Sequence, residues 1–121
     1  MILILPPLTT LNQYIDAERR NKYVGAKIKK MDTETVAWIA KSTLKPVDRI
    51  SSIDITFWVT NKRTDKDNLI FSTKFILDGL VMAGIIKGDG WKFTPADWHY
   101  HFKIADQPRI EVKINETSFK S

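Results

Sequence analysis

Ile53-Asp54-Ile55-Thr56-Phe57-Trp58-Val59, continued by Thr60 and then Asn61-Lys62-Arg63-Thr64-Asp65-Lys66-Asp67-Asn68, is the stretch on which the fold turns. In its first part Ile53, Ile55, Phe57 and Val59 alternate with Asp54, Thr56, Trp58 and Thr60, the period-two pattern of a strand with one face buried. The polar run that follows ends the strand, and Asp67 or Asn68 is a good helix cap. The helix opened there is expected to pass through Phe75, Ile76 and Leu80 and to stop at Gly84, which takes the left-handed conformation at no steric cost. A strand, a polar junction and a helix in succession set a mixed class, and strand-to-helix junctions are common places for sites.

Upstream, Met1-Ile2-Leu3-Ile4-Leu5 before Pro6-Pro7 reads as a first strand, since it is too short and too poor in basic residues for a signal sequence. Thr10 with Gln13 fits a capping box, and Leu11, Tyr14 and Ile15 form the first apolar turn of a helix. The polar residues Glu18 to Lys22 suggest a break. From Val24, apolar residues at Ile28, Met31, Trp38 and Ile39 recur at helical spacing, with Thr35 among them, to near Lys41 and before Pro46, so one face is expected to pack and the other to be basic. Downstream, Gly88-Asp89-Gly90 is a turn. Trp98, Tyr100, Phe102 and Ile104 alternate with His99, His101 and Lys103, and Ile110, Val112 and Ile114 alternate again after Asp106-Gln107-Pro108. These two runs are expected to close the chain as a hairpin. The expected architecture is α+β, a single small domain over residues 1–121 with a mixed β-sheet packed with helices.

Composition narrows the function classes. Nineteen Lys and Arg against 14 Asp and Glu give a net charge of +5 in 121 residues, which suits a polyanionic partner. Arg19, Arg20, Lys22, Lys27, Lys29 and Lys30 carry six positive charges against Glu18, a local excess equal to that of the whole chain. With Tyr23 interleaved, this run reads either as a nucleic-acid contact or as a solvated helix face. The absence of cysteine excludes disulfides, thiol nucleophiles and Cys-ligated zinc, and favours a reducing compartment. No run approaches the roughly 20 apolar residues of a membrane span, so the expectation is a soluble, cytoplasmic protein without a membrane partner.

In an extended backbone Asp65 and Asp67 point to one side, where two carboxylates can meet a hard divalent cation, and Asp89 can supply a third if its turn folds back. Asp67 as a cap and Asp65 as a turn former, solvated among Lys62, Arg63 and Lys66, is the competing reading. Lys74 lies seven residues past Asp67, close to two helical turns, so it falls roughly on the carboxylate side unless it only neighbours Asp78. His99 and His101 lack a third histidine and read as a solvent-facing edge. Ser51 and Ser52 have no histidine base nearby, and no glycine-rich phosphate loop is present.

Taken together, Asp65-x-Asp67-Asn68, Lys74-Phe75-Ile76-Leu77-Asp78-Gly79-Leu80, Ala83-Gly84-Ile85-Ile86, the turn at Asp89 and the ending Pro108-Arg109-Ile110-Glu111-Val112 resemble the RusA-type Holliday-junction resolvases of phages and prophages. The resemblance is good over roughly residues 50–115 and looser before them, including at Pro6-Pro7 and Leu11-Asn12. It implies a small mixed domain that dimerises and a Mg²⁺-dependent endodeoxyribonuclease that resolves four-way junctions by paired nicks in bacterial or phage-infected host cytoplasm. By resemblance Asp65, Asp67 and Asp89 are the Mg²⁺-binding catalytic carboxylates and Lys74 the active-site lysine. Arg19, Arg20, Lys22, Lys27, Lys29 and Lys30, with Lys62 and Arg63 at the junction, then hold DNA. Where the family commonly has Asp-Asp, this chain has Gly88-Asp89, which keeps open a non-catalytic binder of branched DNA with a weakened metal site.

Overall fold

The structure, a computed structural model, describes residues 1–117. Eight elements follow in order: β1 (Ile2–Leu5), α1 (Leu11–Arg20), α2 (Lys22–Thr43), β2 (Arg49–Val59), α3 (Lys66–Ile70), α4 (Thr73–Met82), β3 (Asp97–Ile104) and β4 (Arg109–Thr117). The strands form one mixed sheet in the order β1-β4-β2-β3, with β2 parallel to β3 and antiparallel to β4. The expected α+β class is the observed one.

β2 alternates as its sequence demands. Ile53, Ile55 and Phe57 are buried, and across the ladder Leu3, Val112, Ile55 and Tyr100 form one row while Leu5, Ile110, Phe57 and Phe102 form the next. These inward rows meet Val36 and Ala40 of α2 and Ile76 and Leu80 of α4 in one core. Its other face is open, with Ile2, Lys113, Asp54 and His99 in register and Ile4, Glu111, Thr56 and His101 beside them. Helices therefore cover one side of the sheet.

Local signals set the helix ends. Thr10 and Gln13 complete the capping box at α1, and Asn21, extended and accepting from the Tyr23 N–H at 2.8 Å, divides α1 from α2. Gly84, at φ +75°, follows α4, and Gly84 N–H to Val81 O with Ile85 N–H to Leu80 O at 2.9 Å closes a Schellman motif. The helix expected from Asp67 to Gly84 is nevertheless two helices. Ser72, buried, donates to the Leu69 carbonyl at 2.9 Å, and over Phe71-Ser72 the backbone stays in the αR region but tightens to three-residue bonds, with the Phe71 ring tilted against Tyr14 and edge-on to Phe75, so the first helix lasts one turn. The Tyr14 hydroxyl donates to Glu18 at 3.0 Å, which raises the phenol's pKa above its ordinary value.

Two further expectations change. β3 and β4 are not a hairpin: β4 crosses to the far side of β2 and lies between it and β1. The connection Ala105-Asp106-Gln107-Pro108 lacks the Asn-Gly or Gly signals of a tight hairpin, and Ile110, Val112 and Ile114, all buried, need strands on both sides, whereas β3 with His99, His101 and Lys103 suits an edge. In α2 the packing stripe is Gly25, Thr33, Val36, Ala37 and Ala40, while Met31 and Trp38 face solvent. The reason is the crossing with α4 at Gly79, where an added Cβ would stand 2.5 Å from the Val36 side chain, so only small residues fit. No helix among the described residues is long and apolar enough to cross a membrane.

Gly79→Ala should destabilise the protein by about 1–3 kcal/mol despite alanine's better helix propensity, because α2 and α4 must part to admit the methyl group. In urea unfolding, Val36→Gly in the same chain, which removes the Cβ that the new methyl group meets, should return part of the loss as a non-additive term. An unchanged midpoint for Gly79→Ala would show that the crossing is loose.

Candidate functional site

The polar junction after β2 leads into α3 with Asp65 at the N-cap and Asp67 in the first turn, where negative charge complements the helix dipole. Asp65 makes no side-chain capping bond. Both carboxylates are exposed and line a hollow of about 590 Å³ with Val59, Lys62, Lys66 and Phe102, and the Lys66 ammonium lies 5.3 Å from the centre of the Phe102 ring. This hollow sits at the C-terminal end of β2.

Asp89 belongs elsewhere. After the Schellman stop the chain keeps Ile85 and Ile86 in the core, turns through Gly88-Asp89-Gly90, and returns where the Ile50 N–H donates to Phe93 O at 3.4 Å. Asp89 thus lines one hollow with Arg49 and Ser51, near the N-terminal end of β2, and a second, of about 530 Å³, with Thr73, Lys74, Leu77, Asp78, Trp98 and Tyr100. β2 is 11 residues long, roughly 35 Å, and α4 leads the chain back along it.

The structure therefore brings together Lys74 and Asp89, and adds Asp78, but leaves Asp65 and Asp67 in a separate hollow. The expectation that Lys74 shares the face of Asp67 rests on an unbroken helix, and the break at Phe71-Ser72 removes that basis. Among the described residues no group of three or more Asp, Glu or His side chains is placed to hold one metal ion, so a three-carboxylate cage of Asp65, Asp67 and Asp89 is not formed. Two carboxylate pairs remain, Asp65 with Asp67 and Asp78 with Asp89. Hard oxygen donors of this kind suit Mg²⁺, which is commonly held by one or two carboxylates with water and substrate phosphate completing the shell.

The four-residue step from Lys74 to Asp78 is the sequence signal that finds the added acid. Trp98 and Tyr100 carry no such signal, because their alternation reads as core. Here the Tyr100 hydroxyl and Thr73 Oγ1 lie 3.3 Å apart, and Trp98 Nε1 donates to Pro95 O at 3.0 Å, so both rings are held at the cleft wall. Of the basic residues, Arg19, Arg20, Lys22, Lys27, Lys29, Lys30, Lys62 and Arg63 are all exposed, and among the described residues only Lys30 has a carboxylate within reach, Glu34 at 3.9 Å. On the open face His101 Nε2 and Asp54 Oδ1 lie 3.2 Å apart, and Trp58 stands between the Lys103 and Arg109 cations, 5.1 and 4.4 Å from its ring centre.

Compared with known proteins, the chain matches no family model and no curated protein sequence.

Because the two pairs line different hollows, Asp67→Asn and Asp89→Asn should combine additively, within about 0.5 kcal/mol, in urea unfolding with and without Mg²⁺. A coupling well above that in Mg²⁺ alone would mean that both carboxylates bind the same ion.

Proposed function

We propose that the protein is a Mg²⁺-dependent endodeoxyribonuclease of the RusA type that resolves four-way DNA junctions as a homodimer, in bacterial or phage-infected host cytoplasm. The observation that carries this reading is the convergence of Lys74 and Asp89, 15 positions apart in sequence, on one cleft walled by Trp98 and Tyr100. A phosphodiester is shielded by its own negative charge, so its hydrolysis needs cationic groups where charge develops and an acceptor for the proton of the attacking water. Lys74, exposed at the rim, supplies a cation for a non-bridging phosphate oxygen. Asp78 and Asp89 supply carboxylates that orient or deprotonate water. Mg²⁺, when bound, adds Lewis-acid stabilisation of the phosphate and lowers the pKa of water.

The exposed basic run at the end of α1 and in the first nine residues of α2, Lys22 to Lys30, supports a duplex-binding surface; that part of α2 extends roughly 13 Å. Its charges neutralise phosphates and release counterions, a sequence-independent contribution that suits a junction's arms. Two-fold closure suits the task as well: a four-way junction requires nicks in two opposed strands, and an isologous dimer presents two clefts in that relation.

A second reading is favoured by one observation, the lack of a three-acid group among the described residues: a binder of branched DNA that does not cut. The two are separated by a synthetic four-way junction incubated with the protein in Mg²⁺ beside a linear duplex of the same sequence. Paired, Mg²⁺-dependent nicks in the junction alone are expected; tight binding without nicks would establish the second reading.

Lys74→Ala should lower the single-turnover nicking rate about 10²–10³-fold with a smaller loss of junction affinity, as expected for a group acting mainly in the transition state. Equal losses in rate and affinity would make it a phosphate anchor. Replacing Lys29 and Lys30 with Ala should reduce the slope of log affinity against log salt by about 2. An unchanged slope would return that face of α2 to solvent.

A further inference from the structure

The turn that carries Asp89 also carries the most exposed aromatic residue among the described residues. Trp91 is 100% exposed, next to Gly90, where an added Cβ would meet nothing within 4 Å. An indole left wholly in water forgoes the burial of a large apolar surface. It stands at the rim of the hollow, about 450 Å³, that it shares with Trp98, Arg49, Ser51 and Asp89. That volume is within the range of small-ligand sites.

The lining has a definite chemistry. Trp98 is held by its Nε1 bond to Pro95 O, and Trp91 is tethered to a turn closed by Phe93 and Thr94 N–H bonds to Gly90 O, so one aromatic wall is fixed and the other hinges on glycines. Arg49 is exposed at the mouth, and Ser51 adds a hydroxyl. Two indoles, a guanidinium and a hydroxyl lining a concave space, with the Asp89 carboxylate also in the lining, can complement a nucleotide: a flat base to stack, a phosphate to pair with the guanidinium, and a polar base edge or sugar to bond. Asp89 and Trp98 also line the neighbouring cleft of Lys74, so the two spaces adjoin.

We propose that the hollow between Trp91 and Trp98 receives a single unpaired nucleobase of the DNA, stacked on Trp91 with its phosphate at Arg49, next to the scissile phosphodiester in the Lys74 cleft. This rests on the DNA-directed function given above and adds a preference to it: the bound DNA carries, or opens, an unpaired base beside the site of attack. Duplex DNA keeps its bases stacked inside and offers Trp91 nothing to cover, whereas a bulge or an opened branch point does. Arg49 binds as a phosphate contact and makes affinity salt-dependent; Trp91 binds as a stacking contact and does not.

The test uses the full chain and two 2-aminopurine-labelled DNA duplexes of the same sequence, one intact and one with the label as a single-nucleotide bulge. The unaltered protein should prefer the bulged duplex and change the label's fluorescence as it stacks. Trp91→Ala should lower that preference about five- to a hundredfold and remove the fluorescence change, while Trp91→Phe, which keeps a ring, should retain most of both. Arg49→Gln should reduce the salt slope by about one for the bulged duplex. A preference and fluorescence change that survive Trp91→Ala, with DNA still bound, would overturn this proposal and leave the DNA-directed reading standing. An unaltered protein that binds neither duplex nor a four-way junction would overturn both. Light scattering that shows a dimer dissociated by Trp91→Ala would instead assign the ring to a contact between two copies and overturn the nucleobase site.

Discussion

Burial of Ile53, Ile55 and Phe57 along one side of β2 is the interaction on which the other placements depend. Each side chain contributes about 1.5–3 kcal/mol when removed from water, and because they lie on one face the helices must gather there. That leaves the opposite face to cross-strand pairs of charged and polar residues, with Asp54 beside His101 and Trp58 between two cations. It also makes β2 the axis of the molecule. Its two ends, one at Val59 and the other at Arg49, are where the acidic side chains meet open space.

The α2–α4 crossing transmits this constraint to the cleft. Gly79 lets the helices approach at Val36 and Thr33, which fixes the height and rotation of α4 over the sheet. With Ile76 and Leu80 turned inward, Lys74 and Asp78 are left beside the sheet edge carrying Trp98 and Tyr100, and the Schellman stop at Gly84 turns the chain so that Asp89 meets them. The same crossing takes only small side chains of α2, so Trp38 is 79% exposed instead of filling the core.

Charge and shape are divided between regions. The densest positive charge is carried by the exposed residues from Arg19 to Lys30, where it acts over a Debye length of about 10 Å, while the carboxylates of the hollows are bordered by lysines or arginine. On the function proposed above, such a division would let the protein draw in a polyanion broadly and handle one phosphate locally.

The residue pattern alone determined the class and most of the elements, because strand alternation, the Thr10–Gln13 box and the Gly84 stop are local physics written within a few residues. The cleft was legible in part: Lys74 and Asp89 stand out as charged residues at a helix start and a glycine turn, while Trp98 and Tyr100 are indistinguishable in sequence from core aromatics. Tertiary structure decided the rest. Whether consecutive strands pair depends on which has both edges to satisfy, so β4 lies between β1 and β2 instead of beside β3. What the Phe71 ring packs against depends on Tyr14, 57 positions earlier in the chain, coming to lie beside it. And whether three aspartates meet depends on where a parallel crossover carries the chain, which here sets Asp65 and Asp67 at one end of β2 and Asp89 toward the other. Each of these is a competition between distant groups for the same space, and no window of neighbouring residues contains both competitors.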